Sequence, residues 1–317
     1  MSAHEMSAPE PADPRVLVLS NPGAGSSEED VVERVCRVLR QHSPSGVQVC
    51  RPGPDQEYAE VVATAVGRDV VVLGGDGSVH RLLQALHDQD LLGRVGAIGV
   101  VPMGTGNDLA RGADLPLDPE EAAVVAATGS PVHRELVLDD EGVITVNAVH
   151  AGVGAEATAQ AGEVKGVLGA MAYGVGALQA GLTSRGWNLR VVVDDEVVAD
   201  GTDPVLLVTL ALGPSVGGGT PVAPDARPGD GVVEVLVAHG VSPLARVGLA
   251  ADLRSGRHVE REDVSLTSGR SVRIEAVAED DAFRVNTDGE VAPERTLARS
   301  WRMLDQGWTL RGPQQEG

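Results

Sequence analysis

The chain has 317 residues, 42% of them hydrophobic, and a formal charge of −21. That length suits two modest domains, each with its own core, and the acidic balance excludes a nucleic-acid partner and any general attraction to an anionic bilayer. Aromatics amount to 2%, so Val, Leu and Ala must fill the cores.

Residues 1–13 (MSAHEMSAPEPAD) have no basic stretch and no apolar core. They predict a disordered tail and no secretory signal. Cys36 and Cys50 have no CxxC spacing, which fits small buried hydrophobes in a reducing cytoplasm. From Arg15 onward, strands and helices alternate. RVLVLS, GVQVC, DVVVL and VGAIGVV are strands. SSEEDVVERVCRVLRQ, QEYAEVVATAV and VHRLLQAL are helices, the first opened by a capping-box spacing of Ser26 and Glu29. This order predicts a Rossmann-like α/β domain over residues 14–134, with a parallel sheet and ligands beyond the carboxyl ends of its strands.

After Arg134 the texture changes. ITVNAVHAGVG, NLRVVVDD, PVLLVTLALG, GVVEVLVAHG, VSLTSGRSVRIEAV and FRVNTDGE are strand-like runs with little helix between them. They predict a mostly antiparallel β-sandwich over residues 135–290, with 291–317 packing back on the first domain. Gly166 to Thr183 carries no charge over eighteen residues. Its Ala and Gly content and marginal length favour a packed helix over a membrane span.

Three glycine turns fall at strand ends: NPGAG (Asn21–Gly25), GGDGS (Gly74–Ser78) and GTGNDLAR (Gly104–Arg111). Glycine lets the backbone approach a bulky anion, and successive N–H groups can cradle phosphate oxygens. Asp76 in the second turn then calls for a cation or a reacting hydroxyl. Read singly, the same turn is a tight strand-to-helix connection with an Asp cap.

Taken together with NAVHAGVGAEA (Asn147–Ala157), APDARPGDGVVEV (Ala223–Val235) and TDGE (Thr287–Glu290), these motifs resemble the diacylglycerol kinase catalytic-domain family, which includes bacterial lipid kinases and the sphingosine and ceramide kinases. The GGDG element is shared with NAD kinases and phosphofructokinases, whereas GTGNDLAR with a later DGE is more specific. The resemblance covers nearly the whole chain after the tail. It implies an ATP- and magnesium-dependent kinase of a lipid hydroxyl, in diacylglycerol or a related lipid at a membrane surface, with its site in the interdomain cleft.

By the same resemblance, Asn21, Gly23, Gly74, Gly75, Asp76, Gly77, Ser78, Gly104, Thr105, Gly106, Asn107 and Glu290 line the nucleotide site. Asp76 orders magnesium and phosphates, Asp108 acts beside it, and Asp288 is the general base. A second magnesium falls on Asp230 with the carbonyls of Arg227 and Val232, where an ordinary Asp-Gly turn reads equally well. Rival readings are a soluble NAD kinase-like enzyme and a non-catalytic nucleotide- or lipid-binding homologue.

The chain departs from the pattern at several points. Ser78, His80 and Arg81 stand where Thr, Asn and Glu are usual, and Glu156 where Asp is usual. Ser26 to Asp30 form an acidic helix start where a basic residue is common, leaving Arg51 or Arg81 to supply positive charge. Gly152 to Ala157 fits GxGxxA, but no acidic residue follows near Ala172, so it is not a dinucleotide fingerprint. There is no Walker motif and no HExxH spacing.

Overall fold

The computed structural model describes residues 15–20, 26–43, 46–53, 55–163, 185–239 and 242–314. Asn21, Gly23 and the uncharged stretch Gly166–Thr183 lie outside them, as do the side chains of 26–28 and with them the predicted capping box. Among the described residues, no helix is long and apolar enough to cross a membrane.

In the first half the elements are β1 (Val16–Ser20), α1 (Ser26–His42), β2 (Val47–Cys50), α2 (Asp55–Ala63), β3 (Asp69–Gly74), α3 (Asp76–Asp88), β4 (Ile98–Pro102), α4 (Asp108–Gly112), α5 (Pro119–Thr128) and β5 (Ser130–Arg134). Strands β2-β1-β3-β4 are parallel neighbours in that order. β1 and β4 are buried at every position, as strands covered by helices on both faces must be. One face packs Leu17, Leu19, Val70 and Val72 against Leu82, Leu83 and Leu86 of α3. The other packs Val16, Val18, Val71 and Leu73 against Val32, Val35 and Leu39 of α1.

The second half runs β6 (Val137–Asp139), β7 (Ile144–Thr145), β8 (Ala148–Gly152), α6 (Val153–Glu163), β9 (Leu189–Val193), β10 (Glu196–Asp200), β11 (Leu207–Ala211), β12 (Ser215–Val216) and β13 (Thr220–Pro221). It continues with β14 (Val233–Ala238), α7 (Pro243–Ser255), β15 (Val264–Gly269), β16 (Ser271–Ala276), β17 (Val285–Thr287), β18 (Glu290–Val291), β19 (Ala298–Met303) and β20 (Trp308–Gly312). Two six-stranded sheets, β10-β9-β16-β19-β6-β7 and β15-β14-β11-β8-β17-β18, form the sandwich. Its core holds Val149, Leu189, Val191, Leu210, Val235, Ile274, Phe283 and Trp301.

Three details differ from the sequence reading. ITVNAVHAGVG is not one strand. It turns at Gly152, whose φ is +84°, and continues as α6. The sandwich half also carries α7, opened by Ser242 as N-cap with Pro after it and closed by Gly256 at φ +72°. Of residues 291–317, β19 lies in the sandwich, while β20 enters the first sheet between β4 and β5.

A buried ion pair fixes the β6–β7 hairpin, which lies against α3. Arg299 on β19 meets Asp139 at 2.9 Å with both side chains almost fully buried. Asp139 also accepts the amides of Glu141 and Val143. Replacing Arg299 by Met strands this carboxylate in the interior, so Arg299→Met is expected to lower unfolding free energy by about 3–5 kcal/mol, read from the urea midpoint. A loss under about 1 kcal/mol, as for an exposed pair, contradicts this account.

Candidate active site

The strand β3 delivers Gly75 to the edge of the sheet, and α3 starts at the next residue. Gly75 is the N-cap in extended conformation and supplies no side-chain acceptor, so the first amides of α3 have no capping side chain. Asp76 instead caps a different helix. Its Oδ2 accepts the amide of Asp108 at 3.1 Å and its Oδ1 that of Leu109 at 3.0 Å, at the start of α4. Burial pushes the Asp76 pKa up, against the pull of those two amides, and the charges of Asp108 and Asp288 push it further.

The turns after β3 and β4 touch through glycine. A Cβ on Gly104 would stand 2.7 Å from the Cα of Gly75, and one on Gly106 would stand 3.3 Å from Asp76 Oδ2 and 3.4 Å from Asp108 Oδ2. Asn107 adopts the left-handed conformation at φ +53° and closes the turn, accepting from the amide of Gly104 and donating to its carbonyl. Thr105 and Gly77 are exposed, while Ser78 packs against Gly74.

The second domain enters from two sides. Asp108 accepts the amides of Gly218 and Gly219 at 2.9 Å, in the tip of the β12–β13 hairpin. Gly217, Gly218 and Gly219 all have positive φ, which bends that tip onto the carboxylate. Asp288 and Gly289 form the two-residue loop between β17 and β18, with φ +50° and +95° and Thr287 paired to Glu290. This is a type I′ turn, the geometry Asp-Gly favours. The Asp288 carboxylate accepts the amides of Val146, Asn147 and Ala148 at 2.7–2.9 Å, and lies 2.9 Å from His80 Nδ1 on α3. Burial opposes the charged His80 ring. The hydrogen bond and charge of Asp288, with Glu290, outweigh it and leave the His80 pKa raised. His150, half-buried on β8 with its Nδ1 2.9 Å from the Thr209 hydroxyl, is pushed down to about 4 by desolvation and stays neutral.

Residues 15–137 match the family model of the diacylglycerol kinase catalytic domain, and residues 147–301 that of the YegS C-terminal NAD kinase beta sandwich-like domain. Over these two segments, which lie in its two domains, the chain matches the diacylglycerol kinase catalytic-domain family. A protein of Mycobacterium tuberculosis named "Diacylglycerol kinase" is 29% identical over 288 residues, covering 88% of this chain and 89% of the relative. A Xanthomonas campestris protein named "Probable lipid kinase YegS-like" is 28% identical, over 86% of this chain and 89% of its own. The crystal structure of a Bacillus anthracis diacylglycerol kinase superposes with a TM-score of 0.70 at 17% identity, over 94% of this chain and 97% of that one, and so shares the fold. These are kinase relatives, and the chain is a member of a lipid kinase family.

Of the residues that the family pattern implies, the structure brings Gly75, Asp76, Gly104, Gly106, Asn107, Asp108 and Asp288 together, and Gly74, Gly77, Ser78, Thr105 and Glu290 lie in the same turns. Arg227, Asp230 and Val232 lie elsewhere, in a loop before β14. There Asp230 Oδ1 caps the amide of Val232, and Glu135 accepts the amides of Gly229 and Gly231. Those bonds complete an Asp-Gly turn. Among the described residues no group of three or more His, Cys, Asp and Glu could hold a metal, so a cation in this loop would rest on one carboxylate and backbone carbonyls. Arg81 does not face the glycine turns. It bonds the Gly53 carbonyl and Asp55, and lies 3.9 Å over the Tyr58 ring. Arg51 has a loose contact with Glu29 at 3.7 Å.

Two contacts went unforeseen in the sequence, which placed the turn Gly74 to His80 at the nucleotide site without a partner for His80. The run Gly217-Gly218-Gly219 between strand signals was the trace of a hairpin bent onto a ligand or a side chain. His80 stood out as a departure, but its partner is 208 residues away. Contact between the two glycine turns yields a direct check. Gly104→Ala forces backbone apart and is expected to cost about 1–3 kcal/mol. Gly77→Ala, whose Cβ meets nothing within 4 Å, is expected to change stability by less than about 0.5 kcal/mol. Equal melting temperatures for the two variants contradict the close approach.

Proposed function

We propose that the chain is an ATP-dependent kinase that phosphorylates a hydroxyl of diacylglycerol or a related lipid, in the cleft between its two domains. One observation carries the reading. Asp76 and Asp108 from the α/β half and Asp288 from the sandwich surround a single cleft edged by glycine turns and the uncapped start of α3. Phosphoryl transfer asks for positioning and charge neutralisation more than for covalent chemistry.

The residues fit a magnesium–triphosphate group. The amides at the start of α3 have no side-chain acceptor, Gly77 opens into free space, and Thr105 in the neighbouring glycine turn is exposed. Asp76 carries a charge that burial, and then two neighbouring carboxylates, make unfavourable, which a cation would relieve. Magnesium, when bound, supplies charge neutralisation at the phosphates, and it takes most of its ligands from phosphate and water rather than from a protein cage. Asp76 would hold that group, and Asp288 serves the acceptor side.

Transfer of labelled phosphate from ATP to a crude lipid extract, with the product identified by mass, tests this directly. Asp288→Ala is expected to lose transfer by ~10²–10⁴ while nucleotide binding survives. Near-wild-type turnover in that variant removes the proposed site. Gly77→Ala is expected to weaken nucleotide binding with little change in melting temperature.

A lipid acceptor brings the protein to a membrane surface. With a formal charge of −21, that contact must be apolar and local. Binding to vesicles is expected to change little as salt shortens the Debye length from ~10 Å to ~3 Å. A steep loss of binding over that range contradicts an apolar contact.

A further inference from the structure

We propose that His80, rather than Asp288 itself, takes the proton from the acceptor hydroxyl, with Asp288 holding the imidazole in place. This rests on the kinase reading and deepens it. A general base must reach the hydroxyl with a free lone pair. Asp288 is poorly placed for that. Both its oxygens accept backbone amides, Oδ2 also meets His80, and its side chain is 2% exposed. His80 is the more open member at 10%.

The tautomer follows from the donors. A carboxylate surrounded by three N–H groups only accepts, so His80 Nδ1 carries the hydrogen. In the neutral ring the basic nitrogen is then Nε2, and this atom has no hydrogen-bond partner among the described residues. The pair repeats a base-and-orienter arrangement in which a buried carboxylate fixes an imidazole and stabilises the imidazolium. His80 lies one turn after Asp76 on the same face of α3, so the ring sits on the side where the phosphates would lie. The ionisable groups nearby are Asp288 and Glu290 of the hairpin, Asp76 on α3, Asp108 on α4 and His150 on β8. Asp288 and Glu290 favour the protonated ring.

In the step itself the acceptor O–H bond breaks and its proton moves to Nε2. The freed electron pair on oxygen forms the bond to the γ-phosphorus. The bond from that phosphorus to its bridging oxygen breaks, and ADP leaves with the pair. The imidazolium then returns its proton to solvent.

Two measurements test this. In lipid phosphorylation, wild type should show kcat/KM rising with pH through a limb above the ordinary imidazole value of ~6.5. His80→Asn and His80→Gln should lose ~10²–10⁴ in kcat and the limb with it, while ATP affinity is kept. In the free protein, imidazole NMR should show His80 titrating above its ordinary value and falling in Asp288→Asn. Undiminished kcat in both His80 variants overturns the inference alone. So does a residual rate that keeps the limb, which marks a structural role, or a His80 titration indifferent to Asp288→Asn. Wild type that transfers no phosphate to any lipid removes the kinase reading, and this inference with it.

Discussion

The structure depends on one carboxylate set in a two-residue turn. Asp288 accepts three consecutive amides, Val146 to Ala148, and the ring of His80. The amides belong to the run into β8 and the ring to α3, so a single side chain joins the sandwich sheet that holds β8 to the helix behind the glycine turn. Each buried N–H left without an acceptor costs about 1–3 kcal/mol, which is why the turn cannot drift from that place. The type I′ geometry matters for the same reason. Positive φ at Asp288 and Gly289 turns the chain tightly enough to aim the carboxylate back at β8 rather than into solvent.

The helix α3 is the part of the first domain that reads the second. Asp76, His80 and Gln84 follow at intervals of four and share one face. Asp76 holds the start of α4, His80 meets Asp288, and Gln84 bonds the Gly142 carbonyl and the amide of Ile144 in the β6–β7 hairpin. The opposite face of α3, with Leu82, Leu83 and Leu86, is locked into the parallel sheet. A rigid apolar anchor on one side thus positions three polar contacts on the other. The result is a cleft with several carboxylates, and the arginine nearest in sequence, Arg81, is turned away to Tyr58 and Asp55. Such a cluster of carboxylates is unfavourable by itself and is relieved by a cation bound among them.

The α/β half was legible because β1, β3 and β4 are short, largely Val and Leu runs buried on both faces, each leading into a glycine turn. Glycine is demanded where Gly75 and Gly104 meet, so the turns could be read without knowing their partner. What escaped was long-range. Residues 291–317 were expected to pack back on the first domain, but nothing local says that WTLRG (308–312) enters its sheet beside β4, or that the Gly217–Gly219 tip closes on Asp108. The break after Gly152 was hidden because VGAEATAQ continues an apolar alternation while its residues propagate as helix. The start of α7 was a local signal that went unused, since Ser242-Pro243 and Gly256 are standard caps. At the site, turn and function proved to be one reading at Asp288: the Asp-Gly turn is how the carboxylate is presented. At Asp230 the turn accounts for the bonds observed.

The boundary between the domains is asymmetric, and this bears on how the cleft can open. At its back, Leu136, Ile144 and Val146 of the sandwich half share a core with Leu82, Leu86 and Trp308. Separating them would expose apolar surface at about 25 cal/mol per Å². The buried His80–Asp288 bond belongs with that fixed part, whereas at the mouth Asp108 accepts the amides of Gly218 and Gly219 in a hairpin tip. Water can replace those two amide bonds when the tip lifts, at small net cost. Motion should therefore be confined to the mouth, with the apolar back as pivot and the glycine hairpin as the moving edge. On the proposed kinase reading, an anionic ligand entering beside Asp108 would raise the electrostatic cost of that carboxylate and a cation arriving with it would lower that cost, so nucleotide and metal would be favoured as a pair over either one alone.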